Sequence, residues 1–543
     1  MPQKKPFPHF PLYLAGTLAL VTLAVSGCAK KTSADFAFLN GTEPESIDPA
    51  LITGQPEFRV VDCLFEGLLR LNPKGVAEAG LAQAWEVSED KLVYTFHLRP
   101  DAKWSNGEPI TAKDFVASWE RALRPATASL YAQQLWYIKN ARPYNEGTLK
   151  DFGEVGAKAL DGATVQVTLE APTPFFLDLA AFPTLRPVYL PALEKYGEDQ
   201  WLKPGHIVTS GPYTVKDWRI YDRIRMVKNP YYWDAANVAL GTVDALALDD
   251  PMAMYNFLYT GQAQLMLDKS SIPVALIGEM KKNTFFHPAP FLGNYFLRFN
   301  CTKGPFKDAR VRQAVSLAID KLAITERITR LGEVPATSLV PPGCAGYVAP
   351  PGPGYDLGKA RQLLADAGYP GGAGFPVVTY LYNKKDIDAS VAVELQNMLK
   401  QNLGINLSLV NQEWKVYLGS LNTLNYDIAR SSWVGDYNDP NTFLDMFITD
   451  GGNNRTGWSS KRYDQLIANA ATELDPAKRY AILSEAEHLL ISEDAVVAPL
   501  YYYVGVQMYD PKLVGGVEAN LLDVHPIQFV YYKDKAGNRI GAR

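Results

Sequence analysis

Histidines, catalytic signatures and cysteines are where chemistry would announce itself in this chain. His9, His97, His206, His287, His488 and His525 are scattered without the short spacings of a metal site. No resident metal is expected. The sequence contains no HExxH, GxSxG or Walker A stretch, which removes the local signatures of zinc hydrolysis, serine acyl transfer and phosphate cradling. Gly352-Pro353-Gly354 with Gly358 suggests a dinucleotide loop, but the run is proline-rich, follows no strand and has the wrong spacing. A hydrolase assembled from sequentially distant groups leaves no such pattern and remains the minor alternative. The expectation is therefore no cofactor, no catalytic residue and no chemical turnover.

The N-terminus carries a different chemistry. Lys4 and Lys5 precede an apolar stretch, Leu12 to Val25, which ends in Val25-Ser26-Gly27-Cys28. The apolar stretch is short for the ~20 residues of a membrane-spanning helix, and a signal peptide ends in small residues. Small residues leading directly into a cysteine resemble a bacterial lipobox. Residues 1–27 are then a cleaved signal, Cys28 the lipidation site and 28–34 a tether holding the protein at the membrane. Three further thiols, Cys63, Cys301 and Cys344, cannot all pair. No disulfide framework organises the chain, although a Cys301–Cys344 bridge stays open.

At 543 residues the chain is long enough for roughly three or four domains. Its 47% hydrophobic and 20% charged residues suit a folded globular protein. A net charge of -5 supplies no basic footprint for nucleic acid. No internal repeat or heptad pattern is visible. Leu92 to Leu98 alternates and predicts a strand, and Thr111 with Asp114 resembles a capping box opening a helix that carries Phe115 and Trp119. Helices are predicted over 308–328, 358–367 and 389–403, and a strand over 405–410. Mixed helices and strands of this kind mean an α/β or α+β architecture.

Six stretches in order carry a family resemblance: Gly41 to Pro49 (GTEPESIDP), Leu64 to Leu68 (LFEGL), Tyr94 to Val116 with KWSNG and TAKDFV inside it, Thr209 to Tyr213 (TSGPY), Asn229 to Trp233 (NPYYW) and Asp308 to Ala314 (DARVRQA). Together they resemble the oligopeptide/dipeptide-binding family of ABC-importer solute receptors, bacterial extracellular solute-binding family 5, across almost the whole mature chain. Most of these residues read as scaffold, with Trp104 and Trp119 in the core and Arg310 or Arg312 holding a buried carboxylate.

The segment that resembles the family's ligand-bearing part is Asn411 to Trp414 followed by Tyr426 to Tyr437 (YDIARSSWVGDY). The resemblance implies that Asp436 pairs with a peptide's α-ammonium. It makes Ser432, Trp433 and Val434 a backbone-pairing strand and has Arg430 present a guanidinium fork to the peptide carboxylate. Trp414, Trp433 and Tyr131 would line side-chain pockets, with Tyr437 supporting Asp436. The chemistry suits a receptor for varied peptides, which must draw affinity from the termini and the main chain they share. A carboxylate in a dry cleft is costly until a cation joins it. Other readings stay open: Arg430 in an ion pair with Asp427 or Asp436, and Trp414 in the core. The sequence departs from the family's basic positions at Asp388 and Leu421, where Lys303 is a possible substitute, and Val434 replaces a family cysteine.

The resemblance implies a bilobed periplasmic-binding-protein fold of α/β type with a hinge. Lobe I takes 35–66, 186–291 and 506–543; an extra domain takes 67–185; lobe II takes 292–505 and carries the ligand strand. The expected protein is a monomeric extracytoplasmic receptor for short peptides that docks on the transmembrane subunits of an ABC permease. The same fold holding a metal chelate, glycan, haem or signalling peptide is the alternative.

Overall fold

The computed structural model describes residues 34–541, except 268–271, 274–275 and 385 and the side chains of Asp386, Trp414 and Lys415. The expected signal peptide and Cys28 lie outside the described residues. No described helix is long and apolar enough to cross a membrane.

Two long strands organise the chain, Phe286–Phe299 and Val497–Met508, paired antiparallel along their length. They lie in the middle of a mixed sheet that counts eleven strands among the described residues. On one side follow Leu265–Met266, Phe36–Gly41, Thr242–Ala247, Arg223–Lys228 and Tyr213–Arg219. On the other follow Ile428–Val434, Val378–Asn383 and Leu407–Gln412, with Val334–Pro335 paired beside the second long strand. Phe286 to Pro290 pair with Met508 to Val504, and Asn294 to Arg298 with Tyr502 to Val497. The register shifts between Pro290 and Asn294. Such a bulge bends and twists a strand, so the sheet's two halves meet at an irregular joint.

Each half has its own core. Helix Asp386–Leu403 and the nearly continuously buried strand Val378–Asn383 pack in one, around Phe299, Val391, Leu395 and Ile428. A parallel strand covered on both faces needs such an apolar run. Phe36, Phe38, Val60, Tyr213 and Val243 centre the other.

A separate antiparallel sheet, Ala82–Val87, Val93–Leu98, Thr164–Thr168 and Ala157–Ala159, packs with helix Ala112–Leu123. The alternation in Val93–Leu98 turns Tyr94, Phe96 and Leu98 inward. Asp114 Oδ2 accepts from the Thr111 backbone N at 2.7 Å and from its Oγ1 at 2.8 Å, fixing the helix start. Trp104 and Trp119 are buried here, and Trp119 Nε1 donates to the Leu185 carbonyl at 2.8 Å. Truncating a core tryptophan of this kind costs about 3–5 kcal/mol.

Several expectations need correction. The helix predicted over 308–328 is broken: Ala309–Leu317 ends, and Asp320 caps a new helix, Lys321–Ile324, by accepting from the Ala323 N at 3.0 Å. Among the described residues neither Arg310 nor Arg312 holds a buried carboxylate. Arg312 is buried and donates to the carbonyls of Asp494 and Phe306, while exposed Arg310 pairs with its own cap residue Asp308 at 2.6 Å. Cys301 and Cys344 are free thiols, as is Cys63.

Candidate functional site

A cavity of about 710 Å³ opens where the two halves of the sheet and the smaller antiparallel domain meet. A volume of this order suits a ligand of drug or short-peptide size. Its walls draw on distant segments: Phe58, Tyr131, Asp178, Arg430, Tyr503 and His525 all face it.

The strand Ile428–Val434 forms one wall. One edge pairs along its whole length with the first long strand, from Gly293↔Val434 to Phe299↔Ile428. On the other edge, only Ile428 and Ala429 pair, with Tyr380 and Leu381. Among the described residues no strand continues that pairing past Ala429; the Arg430 carbonyl accepts from the Tyr417 hydroxyl, and beyond it the backbone of Ser432–Val434 presents an open edge. The two-residue period of a strand turns Arg430, Ser432 and Val434 to the cavity.

By the same period Trp433 points the other way. It packs half-buried against the core containing Leu292, Phe296 and Phe447, with Nε1 donating to Thr442 Oγ1 at 3.4 Å. The expected pocket role of its side chain is therefore corrected. The Trp414 side chain lies outside the described residues. Leu421 is buried with Leu381, Tyr417 and Tyr426, away from the cavity wall.

Beyond the strand the chain turns tightly. Gly435 N donates to the Leu292 carbonyl at 2.8 Å, and a Cβ on Gly435 would stand 2.6 Å from Leu292 Cδ2. This close approach delivers Asp436 to the cavity, with its backbone N on Thr442 Oγ1 at 3.2 Å. No Lys, Arg or His among the described residues stands within ion-pair distance of Asp436. Burial pushes its carboxyl up to about 6, opposed by a hydrogen bond from Gln134. Tyr131 faces the same space, held by Phe182 and Phe58 at ring distances of 5.5 and 6.2 Å. Burial and then the Asp436 charge keep its phenol above its ordinary value, so it stays neutral.

Tyr437 lines the cavity but is itself buried. Its ring stacks on Phe175 at 3.9 Å and 7°, and its hydroxyl meets those of Tyr137 at 3.4 Å and Asn441 Nδ2 at 3.2 Å. Two residues on, Asp439 makes a two-pronged bond with Arg479, 2.8 Å on each side. The turn holding Asp436 is thus clamped from both flanks.

Arg430 pairs with neither Asp427 nor Asp436. Its Nε lies 3.5 Å from Asp388 Oδ1, its Nη2 donates to the Tyr503 hydroxyl at 3.2 Å, and its guanidinium stands 5.0 Å over the Tyr295 ring. Burial by itself would lower its pKa; Tyr503, Asp388 and Tyr295 outweigh that and hold it well above the ordinary value. Asp427 instead meets Lys303 at 3.2 Å and the Thr379 N and hydroxyl at 2.8 Å.

Sequence reading missed Asp178, which faces the cavity and is pushed up to about 6 by burial and then by Asp439. A single acid inside Phe175-Phe176-Leu177-Asp178-Leu179 was the available signal, because a charge in an apolar run needs a reason. It also missed the Asp62–Arg186 pair at 2.5 Å in the cavity wall. Among the described residues no three His, Cys, Asp or Glu side chains gather as a metal site.

Comparison with known proteins meets this geometry. Residues 77–455 match bacterial extracellular solute-binding proteins, family 5 Middle. The chain is 36% identical over 521 residues to the periplasmic oligopeptide-binding protein OppA of Escherichia coli K12, covering 94% of each. A solved periplasmic oligopeptide-binding protein/oligopeptide ABC transporter of Borrelia burgdorferi superposes with a TM-score of 0.79 at 32% identity, covering 92% of this chain and 99% of that one. Haemophilus influenzae OppA, solved in complex with RPPGFSPFR, gives a TM-score of 0.77 at 30% identity, covering 92% and 99%. The fold is that of the periplasmic binding proteins, as the sequence led us to expect. With its open strand edge, enclosed acid and matching relatives, the chain belongs to family 5 of the bacterial extracellular solute-binding proteins.

Proposed function

We propose that this protein captures short peptides outside the cytoplasm and delivers them to an ABC importer. The observation that carries the reading is the open edge of Ser432–Val434 in a cavity also lined by Asp436. An extended peptide adds to that edge as a further strand, which gives affinity without regard to side chains. Its α-ammonium meets Asp436 and replaces the water that the carboxylate lost on burial. Ser432 and Val434 flank the peptide, and Tyr131 forms one side-chain wall. Nothing is chemically transformed; ATP hydrolysis belongs to other subunits. The E. coli and Borrelia relatives, named as oligopeptide-binding proteins, and the Haemophilus OppA solved with a bound peptide support this assignment.

The remaining architecture follows from the same reading. Residues 35–66, 186–291 and 506–543 act as lobe I, 67–185 as an extra domain and 292–505 as lobe II. The two long strands are the hinge, and ligand contact with both sides closes it. The protein works as a monomer, anchored to the bacterial membrane through a lipid on Cys28 and docking on the permease's transmembrane subunits.

The test is mass spectrometry of small molecules released from natively purified protein by mild denaturation. Peptides of mixed sequence with free amino termini are expected. A uniform non-peptide ligand, or turnover of added peptide, would remove the proposal.

A further inference from the structure

Arg430 lines the cavity with Arg59, Arg186 and Lys384 and lies on the proposed binding strand, where an internal carboxylate already stands against it. Asp388 Oδ1 lies 3.5 Å from Arg430 Nε, and the two side chains are 2% and 10% exposed. Asp388 occupies the first turn of helix Asp386–Leu403, where the helix macrodipole favours a negative charge. Arg430 faces the cavity while Asp388 lies behind it, outside the lining. Tyr503 takes Nη2 at 3.2 Å, so the guanidinium is held in place as well as neutralised. The same device recurs on the cavity wall at Arg186, which pairs with Asp62 at 2.5 Å.

A neutral ion pair offers hydrogen bonds but little net attraction for an anion, because the second negative charge repels what the guanidinium attracts. Arg430 and Val434 are four residues apart on an extended strand, about 13 Å. Asp436 lies just beyond. A peptide anchored there and pairing along the strand therefore brings about its fifth residue beside Arg430.

We infer that Asp388 is a specificity-determining residue: by cancelling the charge of Arg430 it removes the advantage of a carboxyl terminus at that depth, so that peptides of about five residues bind no better as acids than as amides and longer chains are accepted past that point. Asp388 acts through Arg430, as a positioning residue for charge rather than as a ligand contact. The inference rests on the peptide-receptor reading above.

The experiment titrates the full-length protein, by calorimetry at pH 7, with penta-alanine prepared as the free acid and as the C-terminal amide, both with free amino termini. Wild-type affinities for acid and amide should agree within about threefold. Asp388→Asn should favour the acid by at least about tenfold, while Asp388→Glu, which keeps the charge, should leave the ratio near one. A larger acid preference in the wild-type protein overturns the inference, as does an Asp388→Asn protein whose ratio does not move. Should Asp388→Asn fail to fold, the wild-type ratio alone decides. Failure of the receptor reading looks different: no peptide with a free amino terminus binds, whatever its other end.

Discussion

Replacing Asp436 by Asn tests the proposed anchor most directly, because the substitution keeps the shape and removes the charge. Burial raises this carboxyl from 3.8 to about 6. Two pH units correspond to roughly 3 kcal/mol of disfavoured ionisation at ~1.36 kcal/mol per unit. An incoming α-ammonium offsets that cost and adds a charge-assisted hydrogen bond, whereas Asn offers the ammonium only a neutral acceptor. Removing one partner of a buried charge pair costs about 2–5 kcal/mol, so affinity for a free-amine peptide should fall on the order of 100-fold. The pH dependence gives a second signature. Without an ammonium the pKa lies near 6, and the ammonium lowers it, so below pH 6 binding must expel a proton. Affinity is full above pH 6 and is lost as the pH falls through it, by about tenfold per unit. Calorimetry from pH 5 to 7.5 with one unblocked peptide reads both effects. Asp178 and Asp445, pushed up to about 6 and about 7, titrate in the same range, so the difference between wild-type and Asp436→Asn curves is the decisive quantity. Binding by the variant within threefold of wild type, or parallel pH curves, would refute the anchor.

Other consequences follow from the same geometry. Single N-methyl groups walked along a bound peptide should weaken binding about tenfold at each position whose N–H reaches the Ser432–Val434 edge, whereas side-chain exchanges at those positions cost far less; a flat N-methyl profile would argue against strand addition. Arg479→Ala leaves Asp439 buried without the partner it holds at 2.8 Å, and should lower unfolding free energy by about 3–5 kcal/mol in urea titration. Cys28→Ala, expressed in a lipoprotein-processing bacterium, should yield protein without the diacylglyceryl mass and released from membranes; an unchanged mass and membrane fraction would dismiss the lipobox.

Local signals were the most legible part of the chain. The alternation of Val93–Leu98 and the Thr111–Asp114 pair lie within a few residues, where backbone geometry alone sets the outcome. The broken helix at Ala318–Asp320 was readable too: Asp320 is a good N-cap, but the apolar spacing of Val315, Ala318 and Ile319 overrode it. Trp433 shows a rule left unused, since alternation alone puts it opposite Arg430 and Ser432. The Arg430–Asp388 pair was of another kind. Nothing near Arg430 names its partner, because a helix start and a strand are brought together only by tertiary packing.

The cavity's location explains how binding could be felt by the whole molecule. The strand offered to a ligand pairs along its full length with Gly293–Phe299, and the register shift in that long strand lies between Pro290 and Asn294. Phe291, inside the shift, lines the cavity, and Leu292 accepts the Gly435 N–H that aims Asp436. A Cβ on Gly293 would stand 2.9 Å from Tyr503 Cδ2, so the bend is packed against the ring that also holds Arg430. On the proposed reading, contacts to a peptide's amino end and to the residue beside Arg430 converge on one irregular joint between the halves of the sheet. A bulge costs ladder hydrogen bonds and gives local freedom to twist. Placing it beside the binding strand means that adding one more strand stiffens the joint itself, with no relay through distant side chains.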